Sequence, residues 1–393
     1  MSGSEPGDQV PSLPVSPYLR DLPPYPFAHL DALRAEVEAT GKELIDLGMG
    51  EPGIPTPAFI EDALVAHLGE GGRYPRAAGL PGLREAAARW VARRYGVHLD
   101  PDLDVLPCNG SKEAIFNLPL AVVDPIRRPL VLVPDPAYPV YELGARAAGA
   151  QVVRLPLLPE ANYLPDLDAV PEKVWKRTAL LWINYPNNPT GMGAPLWFLE
   201  RAAARCREHG VLLASDEAYA DIYFGDAPSG ALQTGTENVV VLNSLSKRSA
   251  MPGYRSGFLA GDVRLMAALR RIRPGLGVAT PDFVQHAAAA AWDEDAHCEE
   301  IRNVFRRRRD RAVERLRRTG CPLRAPDGTF YLWLPVPEGT DAAGFAARSL
   351  TLGVVVLPGP ALGERGEGHV RLALTVPDDR LEEALARLAV LYV

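Results

Sequence analysis

The richest chemistry lies in the run Asn243-Ser244-Leu245-Ser246-Lys247-Arg248, followed by Pro252-Gly253-Tyr254-Arg255. Together these hold a primary amine, four hydroxyl or amide groups and two guanidinium groups. The chain carries 42 Lys and Arg together, yet only five are Lys: Lys42, Lys112, Lys173, Lys176 and Lys247. A chain that writes Arg for positive charge places a Lys here and none after it. Arg keeps its proton near neutral pH and cannot form an imine; Lys does so once its site lowers its pKa. Asn238-Val239-Val240-Val241-Leu242 just before it reads as a buried strand. The amine is thus expected at the end of a sheet, where open α/β sheets bind ligands.

Further groups fall at similar places. Asp216 ends the apolar run Val211–Ser215, with Tyr219 three residues on, and Lys247 follows Asp216 by 31 residues, one strand-helix-strand distance. Asn188 lies in the turn Asn187-Asn188-Pro189-Thr190-Gly191, and Gly110-Ser111-Lys112 opens a helix after the strand Val105–Cys108. Backbone N–H groups at a helix start attract anions. Alone, Asp216 reads as a helix cap, Tyr219 as a core aromatic and Asn188 as a turn former. Together, an imine-forming Lys, a buried acid, a phenol, an amide and an anion-binding helix start describe a site for pyridoxal phosphate. The aldehyde needs Lys. The pyridine nitrogen needs a carboxylate to hold its proton. The phenolic oxygen needs donors, and the phosphate needs N–H groups, hydroxyls and a cation.

The elements that must position these groups alternate. Strands are expected at Leu130–Val133, Gln151–Leu155, Leu180–Ile183 and Val211–Asp216, with helices at Pro81–Tyr95, Val140–Ala148 and Trp197–His209. This alternation indicates an α/β fold with a mostly parallel sheet between helices. From Thr280 to about Arg318 the pattern is helical. Strand Phe330–Leu334, helix Ala342–Leu352, strands Val354–Leu357 and Val370–Leu374 and helix Asp379–Leu391 follow, a smaller α+β domain. The expected organisation is a disordered tail over 1–20, an arm and helix over 21–45 that join the small domain, a large domain over 46–280 and a small domain over 281–393. The Pro-rich aromatic arm Asp21–Phe27 packs either on a neighbouring subunit or on its own chain.

Composition removes several classes. With 47% hydrophobic and 23% charged residues the chain is an ordinary globular protein, and its net charge of −7 argues against general nucleic-acid binding. The run Arg306–Arg309 reads as a solvated helix face or a partner contact. Cys108, Cys206, Cys298 and Cys321 form no zinc spacing and point to a reducing cytoplasm, with no metal expected. No apolar run reaches the ~18 residues of a membrane span, and no signal pattern opens the chain.

With Asn188-Pro189-Thr190-Gly191, Ser215-Asp216-Glu217-Ala218-Tyr219 and Ser244-Leu245-Ser246-Lys247-Arg248 quoted, and Arg255 eight residues on, the chain resembles the class I/II aminotransferases of the fold type I pyridoxal phosphate family from about Tyr25 to Val393. The resemblance implies a large domain with a seven-stranded sheet. It gives Lys247 the cofactor aldehyde and the proton that moves between Cα and C4′. Asp216 pairs with the pyridine nitrogen, Tyr219 and Asn188 bond the phenolic oxygen, and Tyr138 stacks on the ring. Ser111 and Lys112 N–H groups, with Ser244, Ser246 and Arg255, hold the phosphate. Arg371 forks onto the substrate α-carboxylate, aided by Asn188 and the Gly50 backbone. Tyr74 resembles a residue that reaches a phosphate across a dimer interface, implying a homodimer.

Within the family, Tyr25-Pro26-Phe27, Gly48-Met49-Gly50-Glu51-Pro52, Phe330-Tyr331-Leu332-Trp333 and Val356-Leu357-Pro358-Gly359 resemble the N-succinyl-L,L-diaminopimelate aminotransferases of bacterial lysine synthesis. They imply transfer between glutamate and N-succinyl-2-amino-6-oxopimelate. One segment, Arg271-Ile272-Arg273-Pro274-Gly275-Leu276-Gly277-Val278, departs from that subgroup, so Arg271 or Arg273 either binds a distal carboxylate or ends a helix in solvent. The alternatives are transfer to aspartate, alanine or aromatic amino acids, and a C–S β-lyase. A transcription regulator on this fold would be expected to carry roughly a hundred residues of DNA-binding domain ahead of the arm, where this sequence shows about 20.

Overall fold

The computed structural model describes residues 43–392 together with 35–37, 39 and 41. The tail, the aromatic arm and most of the helix expected after it within 21–45 lie outside the described residues. A seven-stranded sheet forms the centre. Its strands are β2 (Val105–Cys108), β3 (Leu130–Asp135), β4 (Gln151–Pro156), β5 (Thr178–Asn184), β6 (Leu212–Asp216), β7 (Val239–Ser244) and β8 (Gly257–Gly261), in the order β2-β8-β7-β6-β5-β3-β4. Every pairing is parallel except those of β8, which runs antiparallel to both β2 and β7.

Period-2 alternation explains why both faces are covered. Leu132, Leu181, Ile183, Leu213, Val239 and Val241 join a core with Trp90, Phe198 and Trp292, from the helices Pro81–Tyr95, Leu196–His209 and Asp282–Asp293. Their neighbours Val131, Val133, Leu180, Trp182, Val240 and Leu242 join an opposite core with Leu118, Tyr141 and Leu265, from the helices Ser111–Val122, Val140–Ala147 and Val263–Ile272. Near-continuous apolar strands are what a sheet buried on two faces requires.

A second unit surrounds an antiparallel sheet of β9 (Tyr331–Pro335), β11 (Leu357–Pro358) and β12 (His369–Ala373), in the order β11-β12-β9. Its core gathers Phe305, Phe330, Phe345 and Leu385. Near the start of the described chain, β1 (Ile45–Asp46) pairs in parallel with β10 (Val354–Val355), and Ile45 and Leu47 enter the same core.

Several sequence expectations need correction. The strand expected over 354–357 is two short strands in different sheets. Between β6 and β7 there is no α-helix among the described residues, only the 3-10 turn Ala231–Thr234. β8 and the helices Ala58–Ala66 and Val263–Ile272 were not anticipated. The Arg306–Arg309 run is not one solvated face, since successive residues on a helix point about 100° apart. Arg308 is buried, binding Asp378 at 2.7 Å and the Leu374 carbonyl at 3.1 Å, and Arg309 lies over the Phe224 ring at 4.5 Å.

No helix among the described residues is long and apolar enough to cross a membrane.

Candidate functional site

The carboxyl ends of the parallel strands converge. β6 ends in Asp216, β5 in Asn184 and β7 in Ser244, while β2 leads through Gly110 into the helix Ser111–Val122. Because β8 runs the other way, its beginning reaches the same edge: Gly257 pairs with both Cys108 and Ser244. Arg255, two residues earlier, is thereby delivered beside Gly110. The result is a cavity of about 740 Å³ lined by Gly50, Ser111, Lys112, Tyr138, Asn188, Asp216, Tyr219, Ser244, Ser246, Lys247, Arg255 and Arg371. Twelve residues chosen from the sequence thus share one cavity. Tyr74 is fully exposed and does not line it.

The floor is hydrogen-bonded throughout. Asp216 Oδ2 accepts from the Tyr141 hydroxyl at 2.7 Å, and Oδ1 accepts from the Ala218 N–H at 3.2 Å. Asn184 Nδ2 donates to the Asp216 carbonyl at 2.8 Å, while its Oδ1 accepts from the Asn188 N–H at 2.8 Å. One amide therefore locks the acid's strand to the Asn-Pro-Thr-Gly turn. Burial pushes the Asp216 carboxyl up to about 6, against the hydrogen bonds from Tyr141 and Ala218. The Tyr219 hydroxyl lies 3.0 Å from that of Tyr331, and burial raises its pKa well above the ordinary value.

Lys247 sits on the single turn Leu245–Arg248, started by Ser244, whose Oγ accepts from the Ser246 N–H at 3.2 Å. Its Nζ donates to the Gly50 carbonyl. Burial brings the ammonium down to about 8; Glu51 opposes this, and the charges of Arg371, Arg255 and Lys112 add to it. The amine is therefore much closer to its nucleophilic, neutral form at physiological pH than an ordinary Lys. The next residue, Arg248, is buried and anchors the turn, binding Asp221 at 2.7 Å and also Asp295.

Arg371 is 3% exposed on β12. Its Nη1 donates to Asn188 Oδ1 at 2.9 Å and its Nη2 to the Gly48 carbonyl at 2.8 Å, and its guanidinium lies 4.1 Å from the Tyr331 ring centroid. Its Nε has no hydrogen-bond partner. A buried guanidinium held only by neutral acceptors retains its capacity for an anion.

The donor set fits pyridoxal phosphate at both ends. A buried carboxylate pushed toward protonation is relieved by a cationic N–H partner, which a protonated pyridine provides. At the other end, Gly110 has φ 76°, and a Cβ there would meet Arg255 Nη2 at 2.6 Å. Only glycine leaves room for the guanidinium beside the start of the helix Ser111–Val122. Arg255 itself sits at φ 53°, uncommon for a non-glycine residue, and donates to the Pro252 carbonyl at 2.9 Å and the Asn109 carbonyl at 3.3 Å. Gly50 serves the amine end: a Cβ there would fall 2.0 Å from the Tyr331 hydroxyl.

Sequence reasoning missed Tyr141, Asn184, Arg248 and Tyr331. Asn184 could have been found as a polar end to an apolar parallel strand. Tyr141 lies in the expected helix Val140–Ala148, and nothing in the sequence marks its hydroxyl. The segment Arg271–Val278 is also corrected in part. Arg273 is neither a distal carboxylate binder nor solvent-facing; it is buried and forks onto Glu113 at 2.8 and 3.1 Å. Arg271 is exposed.

A family model described as aminotransferase class I and II matches residues 42–388. The LL-diaminopimelate aminotransferase of Nitratidesulfovibrio vulgaris Hildenborough is 42% identical over 379 residues, covering 94% of this chain and 97% of that protein. Its counterpart in Dehalococcoides mccartyi strain 195 is 43% identical over 383 residues, covering 95% and 98%. Among solved structures, a probable N-succinyldiaminopimelate aminotransferase from Thermus thermophilus superposes with a TM-score of 0.87 at 35% identity, covering 92% of this chain and 99% of that one. An aminotransferase from Neisseria meningitidis gives 0.90 at 36%, covering 96% and 100%.

Proposed function

From the premise that this chain belongs to the aminotransferase class I and II family, and so is a pyridoxal phosphate enzyme of amino-acid transamination, we propose that it moves an amino group between glutamate and a seven-carbon dicarboxylic acid of the diaminopimelate type. The observation that carries this is the pairing of a buried, incompletely bonded guanidinium, Arg371, with a depressed-pKa amine, Lys247, in one cavity.

When bound, the cofactor supplies an aldehyde for amine exchange and a ring that accepts the electron pair left when the Cα proton departs. Lys247 would hold the aldehyde, and its Nζ, with its lowered pKa, is the group placed to take and return the Cα proton. Asp216, steadied by Tyr141 and Asn184, would keep the ring nitrogen protonated. Tyr219 and Asn188 would hold the phenolic oxygen, and Tyr138 would cover the ring. Ser111, Lys112, Ser244, Ser246 and Arg255 would hold the phosphate. Arg371 receives the α-carboxylate with Asn188 and the Gly50 backbone near it, which orients the Cα–H toward Lys247. Tyr74, which follows the exposed Val65 and Leu68 in the chain and is itself exposed, reaches the phosphate of a second subunit in a homodimer.

For the distal group, relatives named as LL-diaminopimelate aminotransferases support a substrate that carries a second amino-acid end. Glu51 and Lys112 both line the cavity and offer opposite charges to such an end. A second reading, the succinylated substrate, is favoured by the likeness to the Thermus protein. A substrate panel decides. With 2-oxoglutarate as acceptor, LL-diaminopimelate should be deaminated and its N-succinyl derivative should be slow. The reverse order favours the second reading. Preference for aspartate, alanine or aromatic amino acids would sink both. Pyruvate and ammonia release from cystathionine without a keto acid would identify a C–S lyase instead.

A further inference from the structure

Outside the cavity, three elements meet at a cluster that transamination does not use. His67 follows the helix Ala58–Ala66, Glu70 lies in the 3-10 turn Leu68–Gly72, and His286 is on the helix Asp282–Asp293. His67 Nδ1 lies 2.7 Å from Glu70 Oε1, and His286 Nε2 lies 3.1 Å from Glu70 Oε2. The two imidazoles are stacked, with centroids 3.7 Å apart and planes 9° from parallel. One donor atom from each residue lies within 4.8 Å of the others.

Two imidazoles and a carboxylate form a donor set for first-row transition cations, above all zinc. Tetrahedral zinc with bonds of about 2.0–2.1 Å holds its donors roughly 3.3 Å apart. To reach that spacing the side chains must turn and the stacked rings must open, because a metal bond lies in the plane of its imidazole. They have the freedom to do so, at 35%, 48% and 34% exposure, while their backbones are fixed by packed elements. The i, i+3 spacing of His67 and Glu70 sets both on one face of the turn. His286 approaches from the facing helix, whose Phe283 lies against Gly71.

We propose that His67, Glu70 and His286 form a three-ligand site for a divalent transition cation, zinc in the first instance, with water in the fourth position. The ion ties the turn Leu68–Gly72 to the helix Asp282–Asp293. Tyr74 lies two residues beyond that turn, so the clip restrains the segment that presents it. Imidazole ligation excludes magnesium and calcium as occupants, since these select oxygen. Zinc coordination displaces a proton wherever a ligand was protonated.

The test uses tag-free, cofactor-loaded protein, freed of metal by a chelator and titrated calorimetrically with zinc chloride. One saturable site per chain is expected, weakened about tenfold or more by His67→Gln, by His286→Gln and by Glu70→Gln. His98→Gln, at a histidine outside the cluster, should leave it unchanged. Zinc should also raise the melting midpoint of the unmodified protein and not that of the three variants, because a ligand that binds only the folded state stabilises it. If one variant fails to fold, the other two still decide. Absence of saturable binding, or binding that survives all three substitutions, overturns the proposal and leaves a surface hydrogen-bond cluster only.

Discussion

The floor and the mouth of the cavity are built on opposite plans. On the floor, Asp216, Asn184 and Ser244 end buried strands, and Asp216 has its carboxylate and carbonyl oxygens both bound by neighbours. At the mouth, Met49 is 45% exposed and Glu51 is exposed; away from the cavity lining, Tyr74, placed at a subunit boundary by the proposed dimer, is 100% exposed. Under the proposed function, the floor would carry a reaction that tolerates little displacement, and the mouth would meet the distal end of the substrate. The lesson is a division of labour: buried, preorganised groups suit the chemistry and the α-carboxylate, and solvent-facing groups suit the variable end.

Breaking the floor should cost most. Lys247→Ala is expected to lower turnover by about 10²–10⁴-fold or more and to abolish borohydride trapping of the cofactor; retained trapping at another Lys would remove Lys247 from its role. Arg371→Ala should lower kcat/KM by about 2–5 kcal/mol, the range for removing one partner of a buried charged pair, while cofactor capture stays intact. Equal losses for amino acids and for plain amines would show that Arg371 does not read the carboxylate. Tyr141→Phe removes a hydrogen bond to a charged group, worth about 1.5–3 kcal/mol. Because that bond lowers the Asp216 pKa, its loss should push the acid further above 6 and weaken cofactor affinity at pH 7, measured by equilibrium dialysis. A titration sharpens the same contrast. Cofactor capture by apo-protein should quicken as pH rises through about 8, where Lys247 loses its proton, rather than near the ordinary 10.5. A rate that rises only toward 10.5 would contradict the buried amine. The exposed groups should respond least: Tyr74→Phe should weaken cofactor binding modestly, and only at protein concentrations where dimers form, as sedimentation would report.

The floor was legible in the sequence because its groups lie at or just beyond strand ends, where ligands bind: Asp216 ends β6, and Lys247 and Ser111 follow the ends of β7 and β2 within one turn. Asn184, at a strand end, left a signal that went unused, whereas Tyr141 was not legible because it acts through Asp216, 75 residues away. Arg273 misled for the same reason, its partner Glu113 lying 160 residues back. The fold was readable wherever alternation was sustained. It failed at β8, where Gly257 and Gly261 flank three apolar residues and resemble a loop, and at Arg306–Arg309, where a linear charge run winds around a helix into two separate packing environments.

The antiparallel strand acts as a length gauge. Gly257 meets Cys108 on one side and Ser244 on the other, so Arg255, Ser244 and the Gly110–Ser111 turn keep their spacing only in that alignment. A two-residue slip of this strand would carry the guanidinium about 7 Å away and return every side chain to its original face, so hydrophobic patterning alone does not forbid it. Crowding at the far end does: a methyl group at Gly261 would fall 2.1 Å from the Val239 carbonyl. Damage there, distant from every reacting atom, should surface as a protein that folds yet fails to retain its coenzyme.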